Sequence, residues 1–157
     1  MNNTEYLIRV IYNSININDY TRLSINNVAG QLNLRIHYWP FSSEMTEHKG
    51  KYKIFINESL NGQQRWQVFG HEMSHYFQDQ TDRDVLRESF VDYCESKADY
   101  FAHHFCVPTF MLTNLKGVNV YDVMDLFNVE FDFALRRLEM YQNKIINRRI
   151  TNEGPYC

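Results

Sequence analysis

The residues best placed to do chemistry are His71, Glu72 and His75, in the run Gly70-His71-Glu72-Met73-Ser74-His75, an HExxH motif. On a helix this spacing turns the second histidine only about 40° from the first and carries it about 6 Å along the axis, so both rings can reach one zinc ion. Glu72 stands about 100° round, beside the metal rather than on it. From there its carboxylate can take a proton from a water that the metal acidifies and later return it to a leaving amine. The pattern therefore points to zinc-dependent peptide hydrolysis, with Glu72 as general acid/base and one Zn²⁺ as cofactor.

A catalytic zinc with an open position takes three protein ligands, and two histidines leave one to find. Glu95 is the strongest candidate, because it adjoins Cys94 and lies close to Ala98 on a second apolar helix stripe and so falls near the seam between helices. Asp99, one turn later on the same face, can accept a hydrogen bond from the far nitrogen of a ligating histidine and fix its tautomer. His103 and His104 fall two or more turns beyond Glu95, about 12 Å along the axis, which makes them packing or surface residues. Tyr76, Tyr93 and Tyr100 lie near the ligands in sequence and each has a hydroxyl that could meet a developing oxyanion, but nothing in the sequence selects among the 11 tyrosines. Cys94 belongs to the apolar stripe and reads as a buried thiol.

Such a site needs two helices held face to face. Trp66, Phe69, Met73 and Phe77 recur at helical spacing and place both motif histidines off the buried face. The second helix is expected to open with a capping box at Ser89 to Asp92, to bury Phe90, Cys94, Ala98, Phe101 and Phe105, and to end before Pro108. Upstream, residues 5–15 form an amphipathic helix with Tyr6, Leu7, Val10 and Ile11 on its apolar face, and a helix follows the N-cap Ser24 through Val28 and Leu32. Strands are expected at Arg35 to Trp39, stopped by Pro40, and at Tyr52 to Ile56, with a polar connection from Ser42 to Gly50. Downstream, Val120 to Phe127 and Phe131 to Tyr141 read as two short helices joined by Asn128-Val129-Glu130, with a polar tail after them. The expected fold is α+β: a small antiparallel sheet packed on the HExxH helix and a second core helix, with a C-terminal helical appendage. Residues 1–108 form the zinc metallopeptidase domain, and 109–157 an extension packed on it rather than an independent domain. The strand from Lys53 to Ile56 offers an edge along which an extended peptide could add.

Composition excludes other classes. The chain has 157 residues, 44% of them hydrophobic and 22% charged, enough for one real core and with no apolar run long enough to span a membrane. Its N-terminus lacks a basic signal-peptide region, and the three cysteines, Cys94, Cys106 and Cys157, contain no CxxC pair, so a cytoplasmic protein with reduced thiols is expected. A net charge of -3 gives no global drive toward nucleic acid, although Arg136, Arg137, Lys144, Arg148 and Arg149 make the C-terminal end locally basic. The helices at 120–141 superficially suggest a helix-turn-helix, but Glu130 and Asp132 would face phosphates at the end that enters the groove, so direct DNA binding is not expected.

HExxH followed by Glu95-Ser96-Lys97-Ala98-Asp99-Tyr100-Phe101-Ala102 and Val107-Pro108 resembles the ImmA/IrrE family of metallopeptidases. Its signature is HELGH, then ExxAN or ExxAD with FA, then an LLMP-like ending. The resemblance covers residues 25–142, including the pair Arg137-Leu138. Met73, Ser74 and Phe105-Cys106-Val107-Pro108 depart from that signature without touching the metal residues. The resemblance implies zinc held by His71, His75 and Glu95 in a gluzincin-like site, with Glu72 as acid/base. It also implies a cognate helix-turn-helix repressor of a phage or mobile element as the protein substrate. The competing reading is a non-catalytic zinc-containing antirepressor or toxin-like binding module. Retention of Glu72 favours the peptidase, since a structural zinc has no need of that acid.

Overall fold

The computed structural model describes residues 2–78 and 88–152, with the backbone alone at 78, 88–94 and 152. In chain order the elements are α1 (Asn3–Ser14), a 3-10 turn (Tyr20–Arg22), α2 (Ile25–Gln31), β1 (Arg35–Trp39), β2 (Glu44–His48) and β3 (Lys51–Asn57). Then follow α3 (Gly62–Gln78), α4 (Glu88–Cys106), α5 (Thr109–Thr113), α6 (Val120–Phe127) and α7 (Phe131–Asn152). The α+β class and the C-terminal helices are as expected. The capping box at Ser89 to Asp92, the stripe positions Phe90 and Cys94, Tyr93 and Cys157 fall outside the described side chains.

The sheet differs from the sequence expectation in two respects. The polar stretch after Ser43 is itself a strand, β2, and the three strands run in the order β1-β3-β2. β2 pairs with β3 antiparallel, through a two-residue turn whose Lys49 and Gly50 both adopt left-handed φ, 51° and 75°. That conformation matches the twist of a tight hairpin and suits glycine at the second position. β1 pairs with β3 in parallel, so the sheet is mixed rather than wholly antiparallel. Exposed charges at Glu44, Glu47 and His48 hid β2 from pattern reading, because only one face of an edge strand meets the core.

This topology places the site. For β1 and β3 to lie parallel with β2 beyond them, residues 40–43 must arch over the C-terminal end of β3. The arch is pinned there: the Asn57 N–H donates to Ser43 Oγ at 2.9 Å, and the Glu58 N–H to the Trp39 carbonyl at 2.9 Å. α3 begins four residues later, behind a reciprocal cap in which the Gln64 N–H donates to Asn61 Oδ1 (2.9 Å) and the Asn61 N–H to Gln64 Oε1 (3.1 Å). Arg65 holds the intervening turn through the Leu60 and Glu58 carbonyls.

Ile54 and Ile56 of β3 meet Trp66, Phe69 and Met73 of α3 and Phe101 and Phe105 of α4, all buried. α3 and α4 approach closely at Gly70, where an added Cβ would stand 2.7 Å from Cys106 Sγ. The inward face of α1 is the expected one at Leu7 and Ile11 but not at Tyr6 and Val10. Ile8, Ile11 and Tyr12 are buried with Glu5, whereas Tyr6 and Val10 are exposed. Glu5 tolerates burial because Lys144 Nζ lies 2.5 Å from both its oxygens and Thr109 Oγ1 donates to it at 2.8 Å. α6 ends at Asn128, in the left-handed conformation that closes helices. α7 then runs through the expected polar tail to Asn152, and the short α5 had no sequence signal. No described helix is long and apolar enough to cross a membrane.

Candidate metal centre

α3 presents His71, Glu72 and His75, and one ligand atom from each lies within 4.8 Å of the others. α4 brings Glu95 against both rings. His71 Nε2 is 2.9 Å from Glu95 Oε2, and His75 Nε2 is 3.8 Å from Glu95 Oε1. Ligands bound at about 2.0–2.1 Å to a tetrahedral zinc stand roughly 3.3 Å apart. The two separations bracket that value, and two imidazoles with a carboxylate are a donor set suited to zinc. The residues present fit a metal ion, with Glu72 and Glu95 both within the neighbourhood from which a carboxylate ligand could come. His75 and Glu72 are nearly buried, while the Glu95 carboxylate is 41% exposed, so the centre is open on the α4 side.

The cleft over the centre holds about 560 Å³. One wall is polar: Ser42 and Ser43 from the arch, Asn57, and Ser59 from the turn into α3. The floor is α3 itself, Gln67, Val68, His71 and Glu72. The other wall carries Asp99 and Ala102 of α4 and Phe133 of α7, with Leu60 adding apolar surface. Asp99 thus shares the cleft with His71 and Glu72, and its backbone carbonyl accepts from His103 Nδ1 at 2.8 Å.

Sequence reasoning found the residues on α3 and α4 and missed the walls. Gln67 and Val68 were within reach, being four and three positions before His71 on the same helix face. The serines and Phe133 had no local signal, since the strand topology and the return of α7 bring them in. Phe133 lies flat on His103, with ring centroids 4.0 Å apart and planes 9° apart. The loop before it is tied to α3: the Glu130 N–H donates to Gln67 Oε1 at 2.7 Å, and Gln67 Nε2 donates to Glu130 Oε1 at 3.0 Å.

His103 and His104 are buried packing residues. Burial lowers the pKa of both, that of His104 to about 4, and each ring donates through Nδ1 to a carbonyl one turn back, Asp99 for His103 and Tyr100 for His104. Tyr100 accepts from Asn2 Nδ2 and Tyr76 packs edge-on to Tyr52, and neither lines the cleft. Arg137, 1% exposed, donates to the Val107 carbonyl and to Thr109 Oγ1, which gives the Arg137-Leu138 pair a physical role: it fastens α7 to the corner after α4.

A sheet-backed helix carrying HExxH, met by a carboxylate from the next helix, defines a domain of the metallopeptidase class. Residues 29–139 match the M78 peptidase family, described as the IrrE N-terminal-like domain, and the chain belongs to that family. It is similar to the uncharacterized protein YqaB of Bacillus subtilis (strain 168), 29% identical over 143 residues that cover 88% of this chain and 83% of the relative. It is also similar to the phage-like element PBSX protein XkdA of the same organism, 26% identical over 149 residues, covering 92% of this chain and 75% of the relative.

Proposed function

We propose that the chain is an intracellular zinc-dependent endopeptidase that cuts a specific protein, a helix-turn-helix repressor of a phage or mobile element. The observation that carries the peptidase reading is the meeting of His71, His75 and Glu95 beside Glu72, with His71 and Glu72 on the floor of an open cleft. In this reading His71, His75 and Glu95 hold the metal, and Asp99 steadies a histidine ring from behind. When bound, zinc supplies a Lewis acid that polarises the scissile carbonyl and makes water a nucleophile near neutral pH. Glu72 takes the proton from the attacking water and passes it to the leaving nitrogen. Its low exposure keeps bulk water from competing for that proton.

The substrate is an extended peptide. The edge first expected at Lys53 to Ile56 is not free, because β3 is paired on both sides. β1 and β2 are the two edge strands, and β2 begins at the cleft, directly after Ser42 and Ser43. A peptide added there would run past Glu72, with its main chain against the serine and asparagine wall and an apolar side chain against Val68, Ala102 and Phe133. The repressor assignment is supported by the similarity to a phage-like element protein.

Coexpression with a helix-turn-helix repressor from the same mobile element tests both parts, comparing wild type with Glu72→Gln. Glu72→Gln retains zinc, measured by elemental analysis, and leaves the repressor whole, whereas wild type cuts it once. If repression is relieved equally by Glu72→Gln, the protein acts by binding and the peptidase reading fails.

A further inference from the structure

We propose that the pocket between α1, α5 and α7 is an anion site that binds a phosphate-type oxyanion. The pocket holds about 340 Å³ and is lined by Arg9, Thr109, Phe110, Thr113, Asn114 and Arg148 around the Glu5–Lys144 pair.

Charge accounting sets the ligand's sign. The pocket contains one carboxylate, Glu5, and it is already spoken for. Lys144 Nζ contacts both its oxygens, Thr109 donates to one, and the Asn2 N–H to the other. Burial alone would raise the Glu5 pKa, but these partners outweigh it and hold the carboxyl down at about 2. Directly behind Thr109 lies Arg137, buried, whose guanidinium donates to a carbonyl and a hydroxyl and makes no ion pair with a carboxylate among the described residues. Burial pushes its pKa down to about 10, and the Glu5 carboxylate nearby only partly offsets that, so Arg137 shares the same acid with Lys144. At the rim Arg9 and Arg148 are exposed, and neither makes an ion pair among the described residues. Two lining cations, Arg9 and Arg148, therefore stand at the pocket without a matching acid, in a chain whose net charge is -3.

The donors suit an oxyanion with several oxygens. Two guanidinium forks can each present paired N–H groups, and the Thr113 hydroxyl and Asn114 amide add neutral donors at the same mouth. Neither rim arginine helps hold the fold, so both can be replaced without disturbing Glu5, Lys144 or Arg137.

The test is titration calorimetry of the zinc-loaded protein with inorganic phosphate at fixed ionic strength. Wild type gives a saturable heat, and Arg9→Gln with Arg148→Gln weakens binding by at least about tenfold, the loss expected for charge-assisted contacts. Arg149→Gln, on the same helix but outside the pocket, leaves affinity unchanged. Absence of a saturable heat overturns the proposal. So does a heat that survives the double replacement, which would place the phosphate on the metal, or one that falls equally in Arg149→Gln, which would make it a general charge effect. Circular dichroism of each variant shows that the fold is kept.

Discussion

Replacing Gly70 by alanine tests how tightly the metal helix is held against its neighbour. The new Cβ would stand 2.7 Å from Cys106 Sγ, with Phe105 Cδ1 at 3.4 Å and the Ala102 Cα at 3.5 Å. Only the first is far inside van der Waals contact, which for carbon begins near about 3.5 Å. Overpacking of this kind costs about 1–3 kcal/mol, and the better helix propensity of alanine returns roughly 1 kcal/mol, so Gly70→Ala should be destabilised by up to about 2 kcal/mol. Cys106→Ala removes the obstructing atom and by itself costs about 1 kcal/mol of lost burial. The double variant should then be more stable than the sum of the two, by a coupling of about 1–3 kcal/mol in urea unfolding followed by tryptophan fluorescence. Because His71 follows Gly70 directly, Gly70→Ala should also weaken zinc binding, and Cys106→Ala should restore it. Additivity within about 0.5 kcal/mol, or a zinc affinity indifferent to the pair, would refute the claim that this contact sets the helix spacing.

Further outcomes follow from the same geometry. Glu95→Gln should weaken zinc binding by more than about 100-fold in competition with a chromophoric chelator, and Asp99→Asn by about 10–100-fold, the range for an outer partner; equal effects would refute the assignment, and a larger loss at Asp99 would reverse the two roles. Acid should act in two stages. His104 is neutral and buried with a folded pKa of about 4, below its ordinary 6.5, so its stabilisation is lost as pH falls through that interval. Glu5, at about 2 against 4.5, contributes on the order of 3 kcal/mol above that range and loses it as pH falls from 4.5 to 2. His104→Gln should flatten only the first stage in urea titrations at stepped pH. Phe133→Ala should trim the apolar wall, widen the cleft and shift preference toward bulkier side chains beside the cut, read from cleavage-site profiling as a change in KM more than in kcat.

The meeting of His71, Glu72 and His75 was legible because helical periodicity alone brings positions four apart onto one face, and the buried stripe of Trp66, Phe69 and Met73 says which face is left for the histidines. The placement of Glu95 beside the two histidines and of Asp99 in their cleft was legible by the same rule on α4. The inward face of α1 was legible only in part, because Glu5 is buried on account of Lys144, a partner 139 positions away. β2 was hidden by its exposed charges, and with it the true sheet order. Phe133 was hidden because its place in the cleft depends on the clasp between Gln67 and Glu130, and no local pattern reports a pairing across 63 residues.

The tie between Glu5 and Lys144 also sets an order of events during synthesis. A chain made from its N-terminus exposes α1 first and α7 last. Until Lys144 emerges, docking α1 would bury Glu5 without its cation, and until Phe133 and Glu130 emerge the cleft lacks a wall. The nascent protein can thus carry the whole HExxH helix and still have no finished cleft. The cleft is thus completed by the last helix to emerge.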